Sequence, residues 1–114
     1  MTTWRRRFHL TTQSHNEVVD ITGRVKELVG ESGIANIGTD FLASLTKLVA
    51  EHDGWLHDRV DNNAAAHIKS ALIGPSETIP IEDGSLALGT WQNVFFCEFD
   101  GPRRQRAIVV TVFG

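Results

Sequence analysis

The sequence predicts an α+β protein: one strand and three helices, then a run of antiparallel strands. Three observations carry this. Residues 4–11 alternate apolar and polar side chains, three segments between residues 21 and 73 repeat apolar positions at helical spacing, and everything after Gly74-Pro75 is short apolar runs punctuated by turn residues.

The elements follow in order. Trp4, Arg6, Phe8 and Leu10 fall on one face of the opening strand, and Arg5, Arg7, His9 and Thr11 on the other, so it is half-buried with its arginines on an exposed edge. Ile21, Val25, Leu28 and Val29 make the stripe of a first helix, with Thr22 as N-cap and Gly30 and Gly33 as stops. A second helix starts at Thr39, with Asp40 at its positive end and a core stripe of Phe41, Leu45, Leu48 and Val49. Asn62 or Asn63 caps a third, where Ala64 to Ala66 favour helix, Ile68, Ala71 and Leu72 face the core, and Gly74-Pro75 ends it. Strands are then expected in "ETIPI", in "SLALGTWQNVFFCEF" and in "RQRAIVVTVF". The last is apolar on both faces, the pattern of a central strand.

At 114 residues this is one domain, 1–114, able to bury roughly two-thirds of its unfolded surface without a disulfide or metal. Net charge is −3, so nothing global argues for nucleic acid or an anionic membrane. One cysteine, Cys97, precludes an internal disulfide and fits a reducing compartment, and its place in "FFCEF" reads as a small buried hydrophobe. No apolar run approaches a membrane span, and "MTTWRRRFHL" lacks the apolar core of a secretory signal. A cytoplasmic location is expected.

Chemistry concentrates in "HDRVDNNAAAHIKSAL". His57 and His67 flank a carboxylate (Asp58 or Asp61), two amides and a helix start whose free N–H groups favour an anion. Such a set suits either zinc, which usually takes three protein ligands and leaves one position open, or a phosphate-bearing ligand if Arg103 or Arg104 reaches it. Two histidines ten apart match no strong metal motif, so satisfied polar residues are the bland alternative. His9, His15 and His52 carry no functional reading. In "LALGTWQNVFF", Gly89 inside a strand pattern suggests a bulge that aims Thr90, Trp91 and Gln92 at one spot; otherwise Trp91 packs in the core and Gln92 is solvated.

Residues 62–114 carry "NAAAH", "LGTWQ" and "FDGPRR" in that order and spacing, and "VVDIT" opens the segment before the first helix. Together these resemble the YjbQ-like family, sometimes named secondary thiamine-phosphate synthases. The resemblance implies a β-sandwich of mainly antiparallel strands with two to three helices, assembled as a homotrimer. It also implies a histidine-bearing site for a divalent metal (zinc or magnesium) or an anion near the trimer contact. That site maps onto His57 and His67 as catalytic or metal-binding residues, with Asn63, Gly89, Thr90, Gln92 and Arg103 contacting a small phosphorylated metabolite. The implied reaction joins a pyrimidine diphosphate to a thiazole phosphate and releases pyrophosphate; the alternative is a non-catalytic ligand- or metal-binding trimer. The chain departs from the family in one place. A strand-and-turn segment of about twenty residues is missing near residues 35–39, which takes a histidine and a carboxylate from the site and opens a gap in the sheet.

Overall fold

The computed structural model describes residues 3–29 and 38–114, so most of the segment near 35–39 lies outside it. The fold is α+β. Strand β1 (Thr3–Leu10) pairs antiparallel along its whole length with the last strand, β6 (Arg106–Phe113), in a register running from Thr3 opposite Phe113 to Leu10 opposite Arg106. Strand β2 (Glu17–Asp20) pairs with β5 (Phe95–Glu98), and β3 (Ile81–Glu82) with β4 (Ser85–Leu86). The β3–β4 turn places Asp83 and Gly84 at φ 50° and 77°, a two-residue hairpin turn that Asp-Gly adopts at little cost. Helices α1 (Thr22–Val29), α2 (Gly38–Leu48) and α3 (Ala64–Ile73) lie where the apolar spacing predicts.

Two small cores form. Phe8, Ile21 and Val25 bury the inner face of the β1–β6 ribbon against α1, with Leu10, Phe96, Ile108 and Val110 packed around them. Leu45, Ala66 and Phe99 join α2, α3 and the end of β5.

Several expectations change at the level of single residues. Thr22 does not cap α1. Its N–H donates to the Asp20 carboxylate at 2.9 Å, and its buried hydroxyl accepts from the Val94 N–H at 2.6 Å and faces the Val94 carbonyl at 3.2 Å, which ties the helix to the chain entering β5. Leu48 drops out of the α2 stripe and is 71% exposed, while Leu45 and Val49 are buried and Phe41 and Leu42 pack beside Leu45. Helix α3 buries Ala64, Ala65, Ala66 and Lys69 rather than the face of Ala71 and Leu72; the ammonium tolerates burial because it donates to Asn16 and to the Glu51 carboxylate. The expected long strand over 85–99 breaks at a turn in which the Gln92 N–H donates to the Gly89 carbonyl at 3.0 Å. Trp91 sits on that turn and is 88% exposed, so it is not core. Finally, β6 is apolar on both faces yet pairs with β1 alone among the described residues.

Candidate functional site

The site is built on a short loop. His52 and Gly54 take left-handed φ values of 51° and 75°, turning the chain out of α2, and the Trp55 indole N–H donates to the Ala50 carbonyl at 2.8 Å to pin the loop. A single 3-10 turn, Leu56–Arg59, then presents His57 outward and Asp58 inward. Asp58 Oδ1 accepts from the Ala64 N–H at 3.1 Å, so the N-terminus of α3 is capped from six residues upstream.

That frees Asn63. It occupies the cap position of α3 but makes no side-chain capping bond. Its amide instead spans two functional groups: Nδ2 donates to Asp100 Oδ2 at 3.1 Å, and Oδ1 lies 2.8 Å from His57 Nε2. A carboxylate only accepts, so Asp100 fixes which end of the amide faces which partner. The oxygen therefore faces His57, whose Nε2 must carry the proton. In the neutral ring this leaves Nδ1 as the free lone pair, available to a ligand or as a base.

His67 lies one turn into α3, and its ring meets that of His57 edge-on, with centroids 4.8 Å apart and planes at 81°. Both histidines are exposed. Arg103 reaches the same Asp100 Oδ2 at 3.3 Å, which places its guanidinium beside the Asn63 amide. Arg104 uses its carbonyl to accept from the Thr11 hydroxyl at 2.6 Å, and is otherwise solvent-exposed.

Behind this front lies a layer that sequence reasoning missed. Lys69 is 1% exposed and donates to Glu51 Oε1 at 3.0 Å and to Asn16 Oδ1 at 3.1 Å, with its Nζ 5.8 Å from the centre of the Phe99 ring. Burial pushes the Glu51 pKa upward, but the bonds from Asn16 and Lys69 outweigh it and hold the carboxyl below its ordinary value. His15 stands between the two carboxylates, 3.5 Å from Glu51 and 3.9 Å from Asp100, and its Nδ1 also faces the Gly101 carbonyl at 3.3 Å. His15 and Asn16, Glu51, and Lys69 come from three separate segments. The one available signal was a lysine at helical spacing from the alanines of α3.

A third layer closes the loops. Glu98 accepts from Thr12 Oγ1 (2.6 Å), from the Asp100 N–H (3.1 Å) and from Arg106 through two bonds of 2.9 and 2.8 Å. Burial alone would raise its pKa, yet the donors from Arg106, Thr12 and the Asp100 backbone bring it down to about 2. Gly101 is required here: a Cβ would collide with the Ser14 carbonyl oxygen and lie 2.8 Å from Glu98 Cγ.

The chain brings His57, Asn63, His67 and Arg103 together. Gly89, Thr90 and Gln92 form a turn of their own, in which Gln92 Oε1 accepts the Gly89 N–H at 2.8 Å. Among the described residues no group of three or more His, Cys, Asp or Glu side chains could hold a metal ion. The two imidazoles fall one short of the three protein ligands usual for catalytic zinc.

A family model described as UPF0047 protein YjbQ-like matches residues 35–114. The chain belongs to that family. A UPF0047 protein of Archaeoglobus fulgidus is 40% identical over 122 positions, covering 88% of this chain and 94% of the relative. A UPF0047 protein of Methanocaldococcus jannaschii is 35% identical over 131 positions, covering 95% and 93%. Both alignments run longer than the 114 residues available, leaving about twenty positions of each YjbQ-like relative opposite no residue of this chain. Among solved structures, a YbjQ-like protein of unknown function from Sulfolobus solfataricus superposes with a TM-score of 0.87 at 30% identity, covering 96% of both chains. A YjbQ/UPF0047 protein of Clostridium acetobutylicum gives 0.81 at 34%, covering 94% and 99%. No helix among the described residues is long and apolar enough to cross a membrane.

Proposed function

We propose that His57 and His67 bind the phosphate of a small phosphorylated metabolite, with Arg103 as the flanking cation, and that this site serves a transfer releasing pyrophosphate. The observation that supports it is the Asp100–Asn63–His57 chain. It spends two half-buried groups on orienting one exposed ring, at the cost of the ordinary cap of α3. With its Nε2–H taken by Asn63, His57 gains a donor towards a phosphate oxygen at Nδ1 when the ring takes up a proton, and a second imidazole stands beside it, which suits phosphate oxygens and a pyrophosphate leaving group. The substrates would be a pyrimidine diphosphate and a thiazole phosphate. A divalent metal would take His57 and His67 as two ligands and its remaining oxygens from phosphate; imidazole suits zinc better than magnesium.

A non-catalytic binding role is the second reading, favoured by the turn of Gly89 to Gln92 closing on itself through the Gln92 side chain. A homotrimer would bring such a turn to the histidines if a neighbouring copy supplied it. The supporting observation is Trp91, 88% exposed at the tip of that turn. The test is pyrophosphate titration followed by the imidazole NMR signals, then product formation from both precursors with magnesium, in the wild type and in His67→Ala. Binding with turnover lost in His67→Ala supports the transfer. Binding without turnover leaves the second reading, and imidazole signals that do not respond to pyrophosphate sink both.

A further inference from the structure

A cleft of about 650 Å³ opens between β5 and β6. Its walls include every residue of 95–100 and every residue of 106–112. Successive side chains of a strand point to opposite faces, so an unbroken run along a wall means that the cleft meets the strand edge-on, along its backbone. Neither β1 nor β2 contributes to the lining. The cleft therefore faces the edges of β5 and β6 that point away from their partners, and among the described residues those edges have no ladder.

The β6 edge has none of the features that protect exposed strands. Residues 107–113, "AIVVTVF", contain no charge, no proline and no glycine, and are apolar on both faces. Val109 is 47% exposed, although this pattern belongs to a central strand. The charged groups lining the cleft are Glu98 and Arg106, already paired with each other, Asp100, held by Asn63 and Arg103, and the exposed Glu77 at its rim. Little polar recognition is left over for a small molecule. The radius of gyration is 15.9 Å, against about 13 Å for a close-packed domain of this length. The relatives carry about twenty positions for which this chain has no residue, the length of one long strand and its turn.

We infer that the cleft is a strand-acceptor groove: it takes an extended, alternately apolar peptide segment between β5 and β6, supplied in trans, in a chain that lacks about twenty positions its relatives carry. An inserted strand of seven residues would span about 23 Å at about 3.3 Å per residue, pairing with both open edges and burying Val109 on one side. This proposal is independent of the histidine site.

The probe is a synthetic peptide of the segment that the Archaeoglobus fulgidus relative carries where this chain has none, mixed with the full chain. The expected result is one-to-one binding, a rise in Tm of several degrees, and slowed amide exchange in residues 107–112. The same peptide N-methylated at alternate residues lacks the backbone donors of a strand, so at least a tenfold weaker affinity is expected. Equal binding of the methylated peptide would overturn strand insertion in favour of simple apolar adhesion. No binding would overturn the groove altogether. Self-association through β6 that persists in the presence of excess peptide would show that a second copy is the occupant instead.

Discussion

Strands β5 and β6 belong to two regions of opposite character. Where β5 ends and β6 begins, Glu98 and Arg106 lock the strands together, and Thr12, Asp100, His15 and Gly101 are drawn into the same clasp. Away from that end the strands part around the cleft, each paired only with its outer neighbour among the described residues. The clasp is polar and tightly satisfied; the cleft is apolar and open. Side-chain chemistry thus holds the site in place where the sheet does not. The functional front of His57, Asn63 and His67 is hung on the clasp through Asp100 and depends on the cleft only indirectly.

The contrast can be broken most directly at Glu98. Glu98→Ala leaves Arg106 without its carboxylate and strips Thr12 Oγ1 and the Asp100 N–H of an acceptor. Loss of one partner from a buried pair costs about 3–5 kcal/mol, and partial exposure of Arg106 puts the expected value at the lower end. Urea unfolding measures it; a loss below about 1 kcal/mol would mean that the clasp does not hold the fold.

Acid probes the same carboxylate without mutation. Its pKa falls from 4.5 to about 2 on folding, so its contribution is full above pH 4.5 and disappears as pH drops through 2. The contribution is on the order of 3 kcal/mol. Stability measured between pH 5 and 2 should fall in the wild type, and Glu98→Gln should flatten much of that slope.

Gly101→Ala comes next. The new methyl meets the Ser14 carbonyl and the Glu98 stem, an overpacking expected to cost about 1–3 kcal/mol. Val109→Thr, on the open edge, should stay within about 0.5 kcal/mol by the same assay. A larger loss there would mean that the β6 edge is already covered in solution, and the difference between regions would shrink.

These differences also show what could be read from residue order. The three helices were legible because apolar spacing is a local property, and His57 and His67 because they bracket a turn before a helix start. The two rings do meet, and Arg103 shares the Asp100 carboxylate with Asn63. The Asn63 cap was not borne out: the residue type was right for a cap, but Asp58 reached the helix end first and Asp100 claimed the amide. The layer of His15, Asn16, Glu51 and Lys69 was invisible because it is assembled from positions up to 54 residues apart, each unremarkable in its own segment. Lys69 fell beside the expected core face of α3, where burial of a lysine makes sense only once its two oxygen partners are known. The two-faced apolarity of β6 predicted a central strand, and the mismatch with its single partner is what exposes the cleft.

A small effect on stability, but the most informative about the site, is expected from Asp100→Ala. The side chain is half-buried and its ion pair with Arg103 is largely solvated, so the fold should lose under about 1 kcal/mol. What changes is information passed to the front of the site. Without the carboxylate, either end of the Asn63 amide can face His57, and the ring can carry its proton on either nitrogen. Long-range proton–nitrogen correlation spectra distinguish these states. In the wild type, neutral His57 should show the single form protonated at Nε2; in Asp100→Ala it should become a mixture, while Arg103→Ala should leave the single form intact. If His57 keeps one form in Asp100→Ala, the amide is oriented by something other than Asp100. If Arg103→Ala also produces the mixture, the guanidinium orients the carboxylate first, and the chain that positions His57 begins one residue further out.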